Sequence, residues 1–118
     1  MYKYVSLKNK ANNQYRNVHA TKMQDNYESP TCKFMLTEQE KGLYSIMNEK
    51  NNEYYQDHIT TMSDSVKDDG QKWRFLKLED SNNEYYIQNV KNNKFLTVHA
   101  SKLETSPSGS EIYILEER

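Results

Sequence analysis

The chain holds three histidines, His19, His58 and His99, spaced 39 and 41 residues apart. Three imidazoles can bind zinc and leave a fourth position open for water or substrate. That chemistry requires the rings to converge, and equivalent residues of a repeated structure meet only where they point at a common axis. Each histidine could instead end a strand and hydrogen-bond a neighbouring loop. In a third arrangement each lies beside a polar neighbour, Asn17 with His19, Asp57 with His58 and Thr97 with His99. Three shallow pockets would then offer amide, carboxylate, hydroxyl and imidazole groups to the hydroxyls of a ligand. These six residues form the candidate ligand-binding set, and no metal or cofactor is expected.

Other chemistries have less to work with. Cys32 is the lone cysteine, so it has no intrachain disulfide partner, and its place before a closing strand suits a small buried hydrophobe better than a nucleophile. Asp64, Asp68 and Asp69 fall in a polar run that reads as a solvated loop, and Glu116-Glu117 sits at the terminus, just before Arg118. The three glycines, Gly42, Gly70 and Gly109, stand far apart, which removes every phosphate-loop and dinucleotide fingerprint. The chain is therefore expected to bind rather than to catalyse.

The histidines belong to an internal repeat. Asn-Asn-Xaa-aromatic occurs at Asn12-Asn13-Gln14-Tyr15, Asn51-Asn52-Glu53-Tyr54 and Asn92-Asn93-Lys94-Phe95, and a histidine follows the second Asn by six residues each time. Val18-His19-Ala20-Thr21-Lys22-Met23 and Val98-His99-Ala100-Ser101-Lys102-Leu103 are nearly the same hexapeptide, while the middle copy reads Asp57-His58-Ile59-Thr60-Thr61-Met62. Upstream of each Asn-Asn lies an alternating segment, as in Tyr4-Val5-Ser6-Leu7-Lys8-Asn9, and alternation over this length predicts a strand. Downstream each copy closes on an apolar stretch whose aromatic anchors are read as Phe34, Phe75 and Tyr113. Tyr4, Tyr44 and Tyr86 are expected in the core, with Tyr27 and Tyr55 as the exposed rings on which a sugar could stack. The copies span roughly 2–41, 42–83 and 84–118, with about four short strands each. The expected class is all-β, a single domain of three repeats of about forty residues and about twelve strands sharing one core.

Composition narrows the partners. The 118 residues carry a formal net charge of -1, and no basic tract stands out against nucleic acid or an anionic membrane. Hydrophobic residues make up 35% and mean hydropathy is -1.11, so the ten tyrosines must supply much of the burial. No apolar run is long enough to cross a membrane as a helix, and the start, MYKYVSLKNK, lacks the apolar centre of a secretory signal. The expected location is the cytoplasm, or outside the cell by a route without a signal peptide.

A threefold repeat of this length resembles a β-trefoil over essentially the whole chain. Tyr86-Ile87-Gln88-Asn89-Val90-Lys91-Asn92-Asn93-Lys94-Phe95-Leu96-Thr97-Val98 resembles the opening hairpin of a ricin-type lectin repeat, and Gln71-Lys72-Trp73 matches that family's Gln-Xaa-Trp signature. The other two copies are read with Cys32 and Ile112 at the matching positions. The sugar-holding Asp of ricin-type lectins corresponds to Asn17, to Gln56 with Asp57 beside it, and to Thr97. The short copies also look like the fascin and hisactophilin trefoils, which are cytoplasmic actin-binding proteins. The resemblance implies a carbohydrate-binding protein with up to three pseudo-equivalent glycan sites. The alternative is a protein-binding trefoil of the actin-binding or protease-inhibitor kind. Expected partners are glycans or glycoproteins, with neither nucleic acid nor membrane insertion, and a homodimer is left open.

Overall fold

The computed structural model describes residues 1–118 and contains twelve strands. The first copy supplies β1 (Tyr4–Asn9), β2 (Tyr15–Arg16), β3 (Met23–Gln24) and β4 (Phe34–Glu40). The second supplies β5 (Leu43–Asn48), β6 (Tyr54–Tyr55), β7 (Met62–Ser63) and β8 (Trp73–Lys77), and the third β9 (Glu84–Asn89), β10 (Phe95–Leu96), β11 (Leu103–Glu104) and β12 (Ile112–Glu117). The helical content is two short 3-10 turns, Asp69–Gln71 and Gly109–Glu111. No helix is long and apolar enough to cross a membrane.

Six strands close a ring by antiparallel pairing, in the order β1, β4, β5, β8, β9, β12 and back to β1. The remaining six form short hairpins, β2–β3, β6–β7 and β10–β11, each joined to the first long strand of its own copy. A closed ring has no free edge, which lets a small polar domain avoid edge-to-edge pairing.

The Asn-rich turns explain themselves in backbone terms. The second Asn of each doublet, Asn13, Asn52 and Asn93, has φ of 59°, 57° and 59°, the left-handed region that Asn tolerates better than most residues. The first, Asn12, Asn51 and Asn92, accepts from the backbone N–H two residues on at 2.9 Å. A third Asn lies earlier, at the end of the long strand. Asn9, Asn48 and Asn89 are fully buried, and each donates Nδ2 to a carbonyl of the preceding copy: Ser110, Thr31 and Gly70, all at 2.9 Å. The three copies are therefore tied in a ring by the same side-chain bond.

This bond fixes the equivalences along the chain and corrects the register of the closing strands. Residues three past the accepted carbonyl are Phe34, Trp73 and Tyr113, all fully buried, so Trp73 and not Phe75 is the anchor of the second copy. Phe75 is half-buried and stacks edge-on between Tyr44 and Tyr85. The Gln-Xaa-Trp position accordingly recurs as Cys32-Lys33-Phe34 and Glu111-Ile112-Tyr113. Likewise Tyr44 is matched by Val5 and Tyr85, not by Tyr4 and Tyr86, because the shared Asn sets the count. Tyr4 and Tyr86 are half-buried on the opposite face of their strands. The core gathers Leu7, Ile46 and Ile87 from the first strands, the three anchors, and Ala20 and Ile59 from the hairpins.

Candidate functional site

The second residue of each short hairpin strand points into the core, and the three copies fill this place differently. They have Arg16, Tyr55 and Leu96, and each is completely buried. Tyr55, expected at the surface, is thus a core ring: its neighbour Tyr54 takes the outer face of the strand, as alternation demands. The Tyr55 hydroxyl donates to the Asn17 carbonyl at 3.0 Å, and its ring meets Phe34 edge-on. Burial first of all, against the favourable pull of Arg16, raises the Tyr55 pKa well above its ordinary value. The other ring expected to be exposed, Tyr27, is half-buried with the Arg118 guanidinium 3.6 Å from its centroid.

Arg16 reaches into the third copy. Its Nε donates to the Tyr113 hydroxyl at 2.9 Å, Nη1 to the Ala100 carbonyl at 3.0 Å and Nη2 to the Thr97 carbonyl at 3.0 Å. The rings of Tyr55 and Tyr113 flank it, at 5.9 and 5.6 Å from the guanidinium carbon. Tyr113 in turn donates its hydroxyl to the Thr97 carbonyl.

The six candidate ligand residues fall in three separate places. In the first copy Asn17 is buried, its Oδ1 accepting from the His19 N–H at 2.8 Å and its Nδ2 facing Gln24 at 3.4 Å. In the second copy Gln56 is held between Thr61 and Gln71. Asp57 is half-buried, and a Cβ placed on Gly70 would lie 2.5 Å from its Oδ1. In the third copy Thr97 is buried, and its hydroxyl donates to Glu111 at 2.5 Å. His19, His58 and His99 are all exposed, and their rings make no hydrogen bond within the chain. No three His, Cys, Asp or Glu side chains gather in a group that could hold a metal ion.

A cavity opens beside one member of each candidate type. It has a volume of about 390 Å³, and its walls include Thr97, His99, Glu104, Ser108, Ser110 and Glu111. Glu111 is 3% exposed, and its Oε1 accepts from both the backbone N–H and the hydroxyl of Ser108, at 2.7 and 2.9 Å. Glu111 and Arg16 both escape a reading based on the histidines. The signal for Glu111 is its place two residues before the anchor Tyr113, where the second copy has Gln71 before Trp73. No phenylalanine, tyrosine or tryptophan and no lysine or arginine lines the cavity. A smaller one, of about 220 Å³, lies among Met1, Tyr2, Asn82 and Tyr85.

No protein-family model matches the chain, and no curated protein matches it in sequence. Solved structures do match in shape. A designed threefold-symmetric protein, ThreeFoil, superposes with a TM-score of 0.83 at 13% identity, over 98% of this chain and 99% of that one. SeviL bound to asialo-GM1 saccharide matches with a TM-score of 0.79 at 16% identity, over 99% and 98%. A mosquitocidal holotoxin matches with a TM-score of 0.82 at 14% identity, over the whole of this chain but 17% of that one.

The chain is a β-trefoil.

In shape this trefoil resembles these three structures, and at such identities the likeness concerns the fold alone. The cavity of the third copy lies at the end of its second strand, beside Thr97 and His99.

Proposed function

We propose that this trefoil binds carbohydrate and that the cavity of the third copy is its principal site. The cavity itself carries the reading: it surrounds a ligand with the Glu104 and Glu111 carboxylates, the Ser106, Ser108 and Ser110 hydroxyls and the His99 imidazole. Saccharide hydroxyls need such a mixture of acceptors and reversible donors. The glycan-bound neighbour of the same fold supports it. With no cation on the walls, a sialylated or sulfated glycan meets two carboxylates and no counter-charge, so neutral glycans are favoured. With no phenylalanine, tyrosine or tryptophan to stack on, affinity rests on hydrogen bonds and is modest per site.

A glycan array of neutral and anionic saccharides, repeated with His19→Ala, His58→Ala and His99→Ala, tests this. His99→Ala should weaken binding by about two- to tenfold, the worth of one hydrogen bond, while the other two changes leave it near wild type. A stepwise loss over all three variants would instead mean three working sites acting through valency. Absence of binding to every saccharide would remove the carbohydrate reading.

A further inference from the structure

Arg16 is a completely buried cation whose partners are one hydroxyl and two carbonyls. Glu111 is a buried anion whose partners are Ser108 and the Thr97 hydroxyl. Neither residue enters an ion pair. Both hold Thr97, Arg16 through its carbonyl and Glu111 through its hydroxyl. The two residues, from different copies, thus hold Thr97 at its backbone and at its side chain.

The equivalent places in the other copies are uncharged. Where Arg16 grips the third copy, Tyr55 gives the first copy a single bond at the Asn17 carbonyl, and Leu96 has no donor to offer the Gln56 carbonyl. Where the third copy has Glu111, the others have Cys32 and Gln71. So a cation and an anion occur together at one junction of three, and that junction underlies the cavity. Arg16 holds the carbonyls at both ends of the segment 97–100, which carries His99 into the cavity wall.

We infer that Arg16, a residue of the first copy, is the positioning residue of the binding site in the third. It fixes segment 97–100 from below and, through Thr97, holds the Glu111 carboxylate in the cavity wall. The inference rests on the carbohydrate reading for its ligand but not for its geometry. A rigid, prearranged wall costs less to order on binding than a loop that must be organised by the ligand. It follows that the third copy is the best preformed site, and the second, with no such donor, the least.

The test uses the full chain, labelled for NMR, as wild type, Arg16→Met, Arg16→Lys and Thr97→Val. Backbone order parameters of Val98, His99 and Ala100 are compared with those of Val18, His19 and Ala20, and affinity is measured with the asialo-GM1 saccharide as a neutral probe. Arg16→Met should loosen 98–100 but not 18–20 and weaken the probe by about tenfold, with Arg16→Lys recovering part of both. Thr97→Val leaves the Arg16 bonds intact and removes the hydroxyl link to Glu111, so it should lower affinity while 98–100 stays rigid, and Arg16→Lys decides the role of Arg16 if Arg16→Met does not fold. A folded Arg16→Met chain with wild-type order parameters would overturn the inference, as would a Thr97→Val chain with wild-type affinity. A wild-type chain that does not bind the probe counts against the carbohydrate reading, and the order parameters then decide the role of Arg16 alone.

Discussion

Asn89 reaches back into the preceding copy, donating Nδ2 to the Gly70 carbonyl at 2.9 Å while its own Oδ1 accepts from the Lys91 N–H at 2.9 Å. Asn9 and Asn48 do the same toward Ser110 and Thr31. One amide therefore closes a local turn and joins two copies at once. Changing any of the three to Ala leaves a carbonyl without its partner in the interior, and each change should cost about 1–3 kcal/mol. Urea unfolding at constant slope would measure it, and the three losses should be similar, as the geometry is. A loss at one site with none at the other two would mean that the ring does not act as three equal ties.

The anchor of the second copy gives a second expectation. Trp73 is fully buried, its indole N–H donating to the Tyr55 carbonyl at 3.2 Å, whereas Phe75 keeps part of its ring in solvent. Trp73→Ala should cost about 3–5 kcal/mol and Phe75→Ala clearly less. Thermal melts of both variants check the order, and equal losses would contradict the register set by the asparagines.

Gly70 lies where a side chain cannot go. A Cβ there would stand 2.5 Å from Asp57 Oδ1 and 2.9 Å from Asp68 Oδ1, the oxygen that caps the Gly70 N–H. Gly70→Ala should destabilise by about 1–3 kcal/mol through overpacking. Asp57→Ala in the same chain should return part of it, because the closest clash is with that carboxylate. Full additivity of the two changes would show that Asp57 is not the obstacle.

Alkali should weaken the fold in a set direction. Burial of Tyr55 raises its pKa above the ordinary 10.0. Above about pH 10 an unfolded chain loses that proton while the folded chain keeps it. The contribution is thus fully present below the unfolded value and is lost as pH rises toward the folded one. Unfolding midpoints should hold steady from pH 7 to 9 and fall beyond about pH 10. Tyr55→Phe, less stable at neutral pH for want of the Asn17 bond, should fall less steeply.

The repeat was legible because the turns depend on backbone conformations that few residues tolerate, so Asn stands at Asn13, Asn52 and Asn93 despite drift elsewhere. The same logic extends three residues before each doublet, where Asn9, Asn48 and Asn89 keep an identical spacing that goes unnoticed when the doublets alone are followed. The anchor was misread because Phe75 and Trp73 are two residues apart on one strand. They share a face and an aromatic character, so alternation cannot choose between them. The three histidines lie on equivalent loops with their rings exposed, while Asn17 and Thr97 beside two of them are buried and Asp57 is half-buried. Arg16 bonds the segment 97–100 beside the cavity, and its burial is announced by no local pattern: an arginine on a two-residue strand reads as surface until its partners in another copy are known.

The pairing of β1 with β12 joins Val5 to Glu117 and Asn9 to Tyr113 across the ends of the sequence. It is the same antiparallel contact that β4 makes with β5 and β8 with β9, only without a connecting turn. Covalent order and spatial order are therefore separable in this ring. A circular permutant, with a short linker between residues 118 and 1 and new ends in the exposed 79–83 link, would keep every strand pair, every asparagine tie and the Arg16 grip on the third copy. In such a chain the third copy would be made first, and its site would wait for Arg16 to arrive in the segment that follows.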